Sequence, residues 1–435
     1  MGLIHRIFYF VLAAAFFISC SPVTKRNLNK TFHSTEEKFQ DYTGFILLDL
    51  EKNKTIFEYN SSRYFAPASN TKILTLFASL KILRDSVPAL RYTARGDSLI
   101  FWGTGDPSLL YKNVHANNSV YTFLKSSDKK LFFSSANFNA SHFGPGWAWD
   151  DYAYSYSSER SPLPIYGNSF SVAGSGSKVL VEPSYMKRYL TVITQSQHAS
   201  AVRNLDNNNF TIAASNSDNE KFEFTIPFRV DPALTAQLLS DTLQKDVQLV
   251  ESPLPHDAAH LFSLPVDSLY KVLMEDSDNF IAEQLLLLCS GIIGDTLNPE
   301  ITIQHVMNNF LTDVPDRLNW IDGSGLSRYN LLTPRSVVHV WNKIYAMVPR
   351  DRLFALLATG GRSGTIRNWY NGNEGKPYIF GKTGTIRNNH CLSGYLVAKS
   401  GKTFIFSFMN SNFTVSVNDI RKNMQTILNL IYENY

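Results

Sequence analysis

One segment constrains the fold more than any other, because its apolar residues cover nearly every face of a helix. The segment SNTKILTLFASLKIL begins at Ser69 and ends at Leu83. A helix with one apolar stripe lies on a protein surface, whereas a helix that is apolar all round must be enclosed by protein. Two apolar-rich runs around the turn-prone EKNK predict a β-hairpin just before it, at roughly 43–60. The sequence therefore predicts a helix buried in the middle of a domain.

The length and composition are those of a globular protein with more than one domain. A chain of 435 residues exceeds the size of one ordinary core and suggests about two or three domains. Apolar residues make up 44% and charged residues 18%, which supplies material for buried cores and argues against a disordered chain. The formal net charge of +4 and the lack of a long Lys/Arg run argue against nucleic acid as a partner.

The N-terminal stretch MGLIHRIFYFVLAAAFFISC has the features of an export signal. Arg6 precedes an apolar run from Ile7 to Ile18, which is shorter than the ~20 apolar residues that span a bilayer. Cys20 resembles the lipidated cysteine of a bacterial lipoprotein lipobox, although Phe17 departs from the usual leucine. We expect residues 1–19 to be a signal peptide and the mature protein to be a membrane-anchored lipoprotein of the periplasm or cell envelope. Plain cleavage and an uncleaved anchor are the alternatives.

The rest of the chain is predicted to form one discontinuous domain with a large insertion. A polar tether is expected at 20–38, followed by the first part of the main domain at 39–85. Short strand-like runs punctuated by GDS, GTGDPS and NNNF then predict a mostly β insertion at 86–262, divided into two subdomains. Residues 263–435 complete the main domain.

The second part of the main domain is predicted to supply helices and then strands. Helical patterns occur at DSLYKVLM, FIAEQLLLLCSG, TIQHVMNNFL and TPRSVVHVWNKIYAMV. Strands are predicted at about 378–383, 391–399 and 402–410, and a terminal amphipathic helix at 416–432. Together with the first hairpin, these strands can close one antiparallel sheet with helices on its faces, which makes the fold class α+β.

Ser69 and Lys72 lie one helical turn apart at the start of the apolar helix and can touch. A serine hydroxyl is a weak nucleophile until a neighbouring base takes its proton. A lysine amine can act as that base when burial or a second cation lowers its pKa. Ser-x-x-Lys also occurs at Ser126, Ser127, Ser175, Ser184 and Ser268. Ser69 differs from these because it alone opens a long apolar helix directly after a hairpin, which predicts acyl-transfer chemistry.

Two further motifs supply groups for the same chemistry. Ser-Asp-Asn occurs at Ser217–Asn219 in a polar loop, where a solvated turn is expected, and at Ser277–Asn279 between two apolar helices. Flanking helices can hold the second copy rigidly and aim its hydroxyl and amide into a cleft. Lys-Thr-Gly occurs once, after the strand-like KPYIF, where Lys382 can lower the pKa of Lys72 and attract a substrate carboxylate. Gly384 lets a substrate backbone approach closely.

In this order, the three motifs resemble those of the serine penicillin-binding proteins and β-lactamases. Further segments narrow the resemblance to the class C low-molecular-mass penicillin-binding proteins, the D-Ala-D-Ala carboxypeptidase/endopeptidases. These segments are GTGDPSLL, PGWAWDDYAYSYSSERSPL, DGSGLSRYN and GGRSGTIRNW. The resemblance implies a β-lactamase/transpeptidase-like catalytic domain, an antiparallel sheet with helices on both faces, interrupted by the large mostly β insertion.

The resemblance also implies a catalytic role for the motif residues. Ser69 is expected to be the acylated nucleophile, and Lys72 its base. Ser277 is expected to relay protons, and Asn279 to hydrogen-bond the substrate amide. A water molecule then hydrolyses the acyl-enzyme and releases the shortened peptide.

Substrate-binding roles follow from the same resemblance. Lys382 and Thr383 are expected to hold the terminal carboxylate, while the backbone N–H groups of the nucleophile and of Thr385 form the oxyanion hole. Asp151 and Arg328 match positions where the family meets the diaminopimelate side chain of the stem peptide, an acid for its amine and a base for its carboxylate. A surface or interdomain ion pair is the alternative for these two residues.

The remaining cysteines and histidines are not expected to act in catalysis. Cys289 and Cys391 stand in apolar surroundings and are interpreted as buried free thiols, with a disulfide between them as the alternative. For His390 a structural role is expected, because nothing in the sequence pairs it with an acid. The spacing HDAAH at 256–260 is taken as chance, so neither a metal nor a cofactor is expected.

The expected function is that of a serine-type D-Ala-D-Ala carboxypeptidase/endopeptidase. Its expected partners are peptidoglycan stem peptides and the β-lactam antibiotics that acylate such enzymes. Two alternatives stay open. A catalytically idle cell-wall-binding lipoprotein of the same fold would have no reason to retain all three motifs. A β-lactamase would need a deacylating glutamate, which no loop of this sequence identifies, and would lack the large insertion.

Overall fold

The computed structural model describes residues 25–114, 118–176, 178–196, 198–215, 220–372 and 375–435. Its helices are α1 (Lys25–Phe39), α2 (Lys72–Ile82), α3 (Ser119–Ser126), α4 (Pro232–Leu243), α5 (Val266–Lys271), α6 (Asn279–Gly294), α7 (Pro299–Asn309), α8 (Pro334–Met347), α9 (Arg350–Leu356) and α10 (Val417–Asn434). A 3₁₀ turn at Ala68–Thr71 contains Ser69, and a π-helix at Val272–Asp276 precedes the Ser-Asp-Asn motif.

The strands are β1 (Tyr42–Asp49), β2 (Lys54–Tyr59), β3 (Ser86–Arg95), β4 (Ser98–Gly103), β5 (Lys130–Ser134), β6 (Ser169–Ser175), β7 (Lys178–Glu182), β8 (Leu190–Ser196), β9 (Ser200–Arg203), β10 (Phe210–Ser215), β11 (Lys221–Pro227), β12 (Val247–Leu249), β13 (Ala259–Pro265), β14 (Ala358–Thr359), β15 (Ile379–Ile386), β16 (Asn389–Val397) and β17 (Thr403–Ser411). The hairpin predicted at 43–60 corresponds to β1 and β2. The three late strands and the terminal helix also form where the sequence predicted them.

A six-stranded antiparallel sheet forms the centre of the main domain, in the order β14-β15-β16-β17-β1-β2. β1 pairs with β17, from Tyr42 beside Ser411 to Asp49 beside Phe404. Strands from opposite ends of the chain are therefore neighbours in the sheet. The insertion lies between these two strands in the sequence.

Helices cover both faces of this sheet. Alternate side chains of a strand point to opposite faces, and here they enter two separate cores. Ile46 and Ile405 pack with α2, α6 and α8, whereas Phe45 and Phe408 pack with α1 and α10. α2 lies inside the first core, where every side chain from Lys72 to Ser79 is buried. The predicted buried helix and the α+β fold class are confirmed.

In the described part of the chain, the insertion carries three further sheets and a core of its own. A five-stranded sheet has the order β12-β5-β4-β3-β13, and two three-stranded sheets have the orders β11-β6-β7 and β8-β10-β9. Their buried side chains pack with α3 and α4 into one hydrophobic cluster. β13 pairs with β3 as far as Pro265 beside Ser86, so this sheet extends past the predicted limit at residue 262. The division into two subdomains stays a prediction.

The predicted tether at 20–38 is wrong over its described part, because Lys25–Phe39 forms helix α1. The polar sequence of α1 contains a narrow buried stripe of Leu28, Phe32, Thr35 and Phe39. Phe32 stacks on Phe45 and Phe57 of the sheet, with ring-centroid distances of 4.9 Å and 5.6 Å. A sequence with so few apolar positions looks like a solvated linker. These positions become part of a core only because they pack against the sheet.

Two of the sequence predictions fall on residues outside the described ranges. They are the signal peptide with Cys20, within residues 1–24, and the polar Ser217–Asn219 turn. Among the helices that the structure does describe, none combines the length and the hydropathy needed to cross a bilayer.

Replacing Phe32 by alanine tests whether α1 belongs to the folded domain. Phe32 is fully buried, so we expect Phe32→Ala to lower the free energy of unfolding by about 3 kcal/mol. The measurement is urea denaturation of the full-length chain. Lys30→Ala, on the exposed face of the same helix, should change the free energy of unfolding by less than about 0.5 kcal/mol. Equal stability of the two variants would contradict the packing of α1.

Candidate active site

Ser69 lies on the 3₁₀ turn that leads directly into α2. The residue before it is strained, because Ala68 has a φ of 47°, in the left-handed region that side chains disfavour. The Ala68 carbonyl packs against Gly325, where any Cβ atom would collide with it. Strain of this kind persists only where the surroundings impose it. The turn leaves Ser69 half-buried at the entrance to α2.

Lys72 is fully buried, and its Nζ atom contacts three oxygen atoms. It donates to Ser69 Oγ at 2.9 Å, to Asn279 Oδ1 at 2.6 Å and to the Ser324 carbonyl at 2.7 Å. Burial lowers the pKa of Lys72 to about 8, although nearby carboxylates, chiefly Asp322, oppose the shift. A lysine with this pKa is partly neutral near physiological pH, so its amine can take a proton from Ser69.

The Ser-Asp-Asn turn joins the π-helix to α6. Ser277 adopts a φ of 66°, and Asp278 caps α6 by accepting a hydrogen bond from a backbone N–H of its first turn. The other Asp278 oxygen accepts from the Tyr111 hydroxyl at 2.6 Å and from the Asn113 amide at 3.0 Å. Because Tyr111 and Asn113 belong to the insertion, the insertion helps to fix this turn.

Lys382 lies on β15 and is fully buried. Its Nζ atom donates to Ser277 Oγ at 2.7 Å and to the Thr383 carbonyl at 2.8 Å. Lys382 was predicted to lower the pKa of Lys72 through its charge. Burial, rather than Lys382, is the largest cause of that lowered pKa. The charge interaction that the structure does provide acts on Lys382, whose pKa is lowered by its own burial and by the charge of Lys72.

β15 and the Ser69 turn touch through their backbones at Gly384. A Cβ atom there would lie 2.8 Å from the Asn70 nitrogen and 2.9 Å from the Ser69 nitrogen, so only glycine fits without displacing the turn. Asn70 Nδ2 donates to the Lys382 carbonyl at 3.1 Å and fastens the turn to the strand. This contact places the backbone of Thr385 close to Ser69.

The five residues predicted to be catalytic therefore come together. Ser69, Lys72 and Asn279 form one hydrogen-bonded group, and Ser277 with Lys382 forms another. The Ser-Asp-Asn turn lines a solvent-open cleft of about 300 Å³ between the main domain and the insertion.

Comparison with known proteins identifies the family. The profile of the D-Ala-D-Ala carboxypeptidase 3 (S13) family matches residues 25–432. The chain belongs to the S13 family. The D-alanyl-D-alanine carboxypeptidase DacB of Haemophilus influenzae is 25% identical, with 91% of each chain covered. The D-alanyl-D-alanine carboxypeptidase of an Actinomadura species is 23% identical over 85% of this chain and 77% of that protein.

Solved structures of similar proteins have the same fold. The crystal structure of penicillin-binding protein 4 from Haemophilus influenzae has a TM-score of 0.75 at 20% identity, and the match covers 92% of this chain and 99% of that chain. A predatory peptidoglycan endopeptidase from Bdellovibrio bacteriovorus has a TM-score of 0.51 at 14% identity, with 90% and 92% covered. The predicted architecture of the catalytic domain is thereby confirmed.

In this S13 family member, sequence reasoning missed how the segment DGSGLSRYN holds Lys72. The Ser324 carbonyl accepts a hydrogen bond from Lys72, and the buried carboxylate of Asp322 shapes the loop that carries it. Asp322 accepts from the Gly325 N–H and from the Trp147 indole, both at 2.9 Å. The sequence did contain a signal for this loop, an aspartate at the start of a glycine- and serine-rich run. An aspartate side chain can accept hydrogen bonds from the backbone N–H groups of such a run.

A buried ion pair supports the same loop from α6. Glu283 accepts from Arg160 Nε at 2.9 Å and, through its other oxygen, from the Ser324 N–H at 2.7 Å. Both charged side chains are buried. A buried pair contributes little net stability because desolvation is costly. Its geometric consequence is that the insertion residue Arg160 is fixed against α6 and against the loop that binds Lys72.

Asp151 is linked to Asn279 through one residue, Tyr156. Its Oδ1 accepts from the Tyr156 hydroxyl at 2.8 Å, and the Tyr156 carbonyl accepts from Asn279 Nδ2 at 2.9 Å. Arg328 is exposed, and its backbone N–H donates to the Gly146 carbonyl at 3.0 Å. Within the described residues, neither side chain forms an ion pair with the other or with a third residue. Their roles toward a stem peptide stay predictions.

His390 and the two described cysteines are buried, in agreement with structural roles. Nδ1 of His390 lies 2.7 Å from the Thr385 hydroxyl, and burial lowers the pKa of His390 to about 3, so its ring is neutral. Cys289 and Cys391 are free and buried, and burial raises the pKa of each thiol to about 12. The prediction of free thiols is confirmed. In the described ranges, no group of three His, Cys, Asp or Glu side chains could hold a metal ion.

Proposed function

We propose that this chain is a serine D-Ala-D-Ala carboxypeptidase/endopeptidase that cleaves peptidoglycan stem peptides through an acyl-enzyme on Ser69. Membership of the S13 family supports this activity, as do the names of the relatives from Haemophilus influenzae and Actinomadura. The observation that carries the role of Ser69 is its 2.9 Å hydrogen bond with the buried amine of Lys72. A buried lysine of lowered pKa next to a serine is what activation of that hydroxyl requires.

Acylation begins when neutral Lys72 accepts the hydroxyl proton of Ser69 and Oγ attacks the carbonyl carbon of the penultimate D-Ala. A C–O bond forms, and the carbonyl electron pair moves onto the oxygen. The backbone N–H groups of Ser69 and Thr385 then stabilise this oxyanion, at roughly 3 kcal/mol per donor by analogy with other acyl transferases. The carbonyl re-forms as the C–N bond breaks, and the terminal D-Ala leaves as an amine that receives, through Ser277, the proton that Lys72 took from Ser69. Water hydrolyses the remaining ester and regenerates the hydroxyl of Ser69.

We infer that Lys382 and Thr383 hold the terminal carboxylate of the substrate. Both lie on β15, and Lys382 already donates to Ser277 in the hydrogen-bonded group described above. A carboxylate next to the Lys382 ammonium would favour its charged form and oppose the effect of burial on its pKa. Penicillins carry a carboxylate and a strained acyl amide in a similar arrangement, so they are expected to acylate the same serine.

Intact-mass spectrometry after incubation with benzylpenicillin tests the nucleophile. We expect the full-length chain to gain one penicilloyl group, because the ester on Ser69 forms as it does with substrate. Ser69→Ala should gain none. Ser126→Ala, which alters another Ser-x-x-Lys sequence at an exposed position on α3, should be acylated like the wild type.

Each failure of this experiment points to a different alternative. An unmodified wild type with intact antibiotic would favour the catalytically idle cell-wall-binding protein. Rapid destruction of the antibiotic without an adduct would favour a β-lactamase. An adduct that persists on Ser69→Ala would show that another residue is the nucleophile.

The pH dependence of acylation tests Lys72 as the base. Because burial lowers the pKa of Lys72 to about 8, the neutral amine is scarce below that pH and predominates above it. We expect the acylation rate constant with benzylpenicillin to rise about tenfold per pH unit between pH 5 and 7 and to level off above pH 8. His390→Gln should keep the same midpoint, since the pKa of His390 is near 3. A flat profile from pH 5 to 9 would contradict the role of Lys72.

We further propose that the protein is exported to the bacterial periplasm or cell envelope and anchored there by a lipid on Cys20. The support is the N-terminal sequence, an apolar run followed by a cysteine in a lipobox-like context. Because α1 already begins at Lys25, such an anchor would hold the main domain close to the membrane surface.

Metabolic labelling with a palmitate analogue tests the anchor. In bacterial cells that express the full-length chain, we expect the wild type to carry the label and to sediment with membranes. Cys20→Ser should lose the label and move to the soluble fraction, whereas Ser21→Ala should behave like the wild type. A wild type that is shortened but unlabelled would show plain cleavage instead, and label retained in Cys20→Ser would place the lipid elsewhere.

A further inference from the structure

The hydroxyl of Thr383, which is expected to bind the substrate carboxylate, has a hydrogen-bond partner within the protein. Thr383 Oγ1 donates a hydrogen bond to Thr365 Oγ1 at 2.7 Å. Thr365 belongs to GGRSGTIRNW, one of the segments that carry the family resemblance. The proposed mechanism gives this segment no role. Because a threonine hydroxyl has one proton, Thr383 cannot donate to Thr365 and to a substrate at the same time.

The position of Thr365 is fixed by its neighbours in the chain. Gly364 has a φ of 62°, and a Cβ atom there would lie 2.5 Å from the Glu275 carbonyl and 2.9 Å from the Ala358 side chain. Glu275 is part of the π-helix that leads into Ser277. On the other side of Thr365, Ile366 is buried in the core beneath α1 and α10. The 3₁₀ turn Gly364–Ile366, which carries Thr365, therefore lies between the π-helix that leads into the Ser-Asp-Asn turn and the strand that carries Thr383.

We propose that Thr365 is a positioning residue that directs the Thr383 hydroxyl and so favours substrates with a free terminal carboxylate. This proposal rests on the proposed function. In the free enzyme Thr383 donates to Thr365. When a carboxylate arrives, the proton of Thr383 turns to it, and the hydroxyl of Thr365 donates in turn to the Thr383 oxygen. The two hydroxyls then form a chain of hydrogen bonds that ends on a charge, and each bond polarises the next.

Thr365→Val tests this proposal because it keeps the shape of the side chain and removes its hydroxyl. The substrates are an acyl peptide that ends in D-Ala-D-Ala and the same peptide with a C-terminal amide. With the full-length chain, we expect Thr365→Val to reduce kcat/KM about tenfold for the carboxylate peptide, mainly through KM, and less than twofold for the amide. Thr365→Ser, which retains the hydroxyl, and Ser363→Ala, which removes a different hydroxyl from the same loop, should stay within twofold of the wild type on both peptides.

A double-mutant cycle with Thr383→Val tests whether Thr365 acts through Thr383. We expect Thr365→Val to cause no further loss on the carboxylate peptide once the Thr383 hydroxyl is absent, because the two residues form one hydrogen-bonded unit. Multiplicative losses in the double variant would overturn the proposal. An equal loss on the carboxylate and amide peptides would also overturn it, since a merely structural role affects both.

The outcomes separate this inference from the function on which it rests. If the wild type hydrolyses the carboxylate peptide and Thr365→Val matches it on both peptides, only the inference about Thr365 fails. If the wild type hydrolyses neither peptide and is not acylated by benzylpenicillin, the proposed function fails and the inference fails with it.

Discussion

The buried amine of Lys72 is the group on which the arrangement of the site depends. A lysine taken out of water is costly unless its nitrogen is fully hydrogen-bonded, and Lys72 meets this demand with three oxygens, two of which come from distant parts of the chain. Ser69 comes from the same turn, Asn279 from the start of α6, and Ser324 from the loop after α7. Satisfying one buried nitrogen therefore requires the helix, the Ser-Asp-Asn turn and this loop to meet. The same desolvation lowers the pKa of Lys72, so one physical cause both assembles the site and brings the pKa of the lysine close to physiological pH.

The insertion is a structural part of the site as well as an appended region. Tyr111 binds the aspartate of the Ser-Asp-Asn turn, the Tyr156 carbonyl binds the amide of Asn279, and Arg160 pairs with Glu283 on α6. These contacts surround the turn with polar groups from the insertion. The insertion therefore forms one wall of the cleft that the Ser-Asp-Asn turn lines.

The local features of the fold were predictable because their causes are local. The hairpin at β1 and β2, the helix after Ser69 and the late strands follow from apolar periodicity and turn residues, which act over short distances along the chain. Helix α1 was mistaken for a tether because four buried positions in a polar sequence carry too little signal without the sheet beneath them. The role of Asp322 escaped for a related reason, since the lysine that its loop binds is remote in sequence.

The sequence by itself determined the chemistry available to this protein: a serine and a lysine on one helical face, a Ser-Asp-Asn turn between apolar helices, and a Lys-Thr-Gly strand. Those assignments depend only on residue type and spacing, which are properties of the sequence and do not require the fold to be known. The tertiary structure alone decided which groups meet, because the distances between Lys72, Asn279 and Ser324 and the partnership of Thr383 with Thr365 arise only when remote segments pack. It also decided the electrostatics, since burial, which lowers the pKa of Lys72, is a property of the surrounding core rather than of the motif.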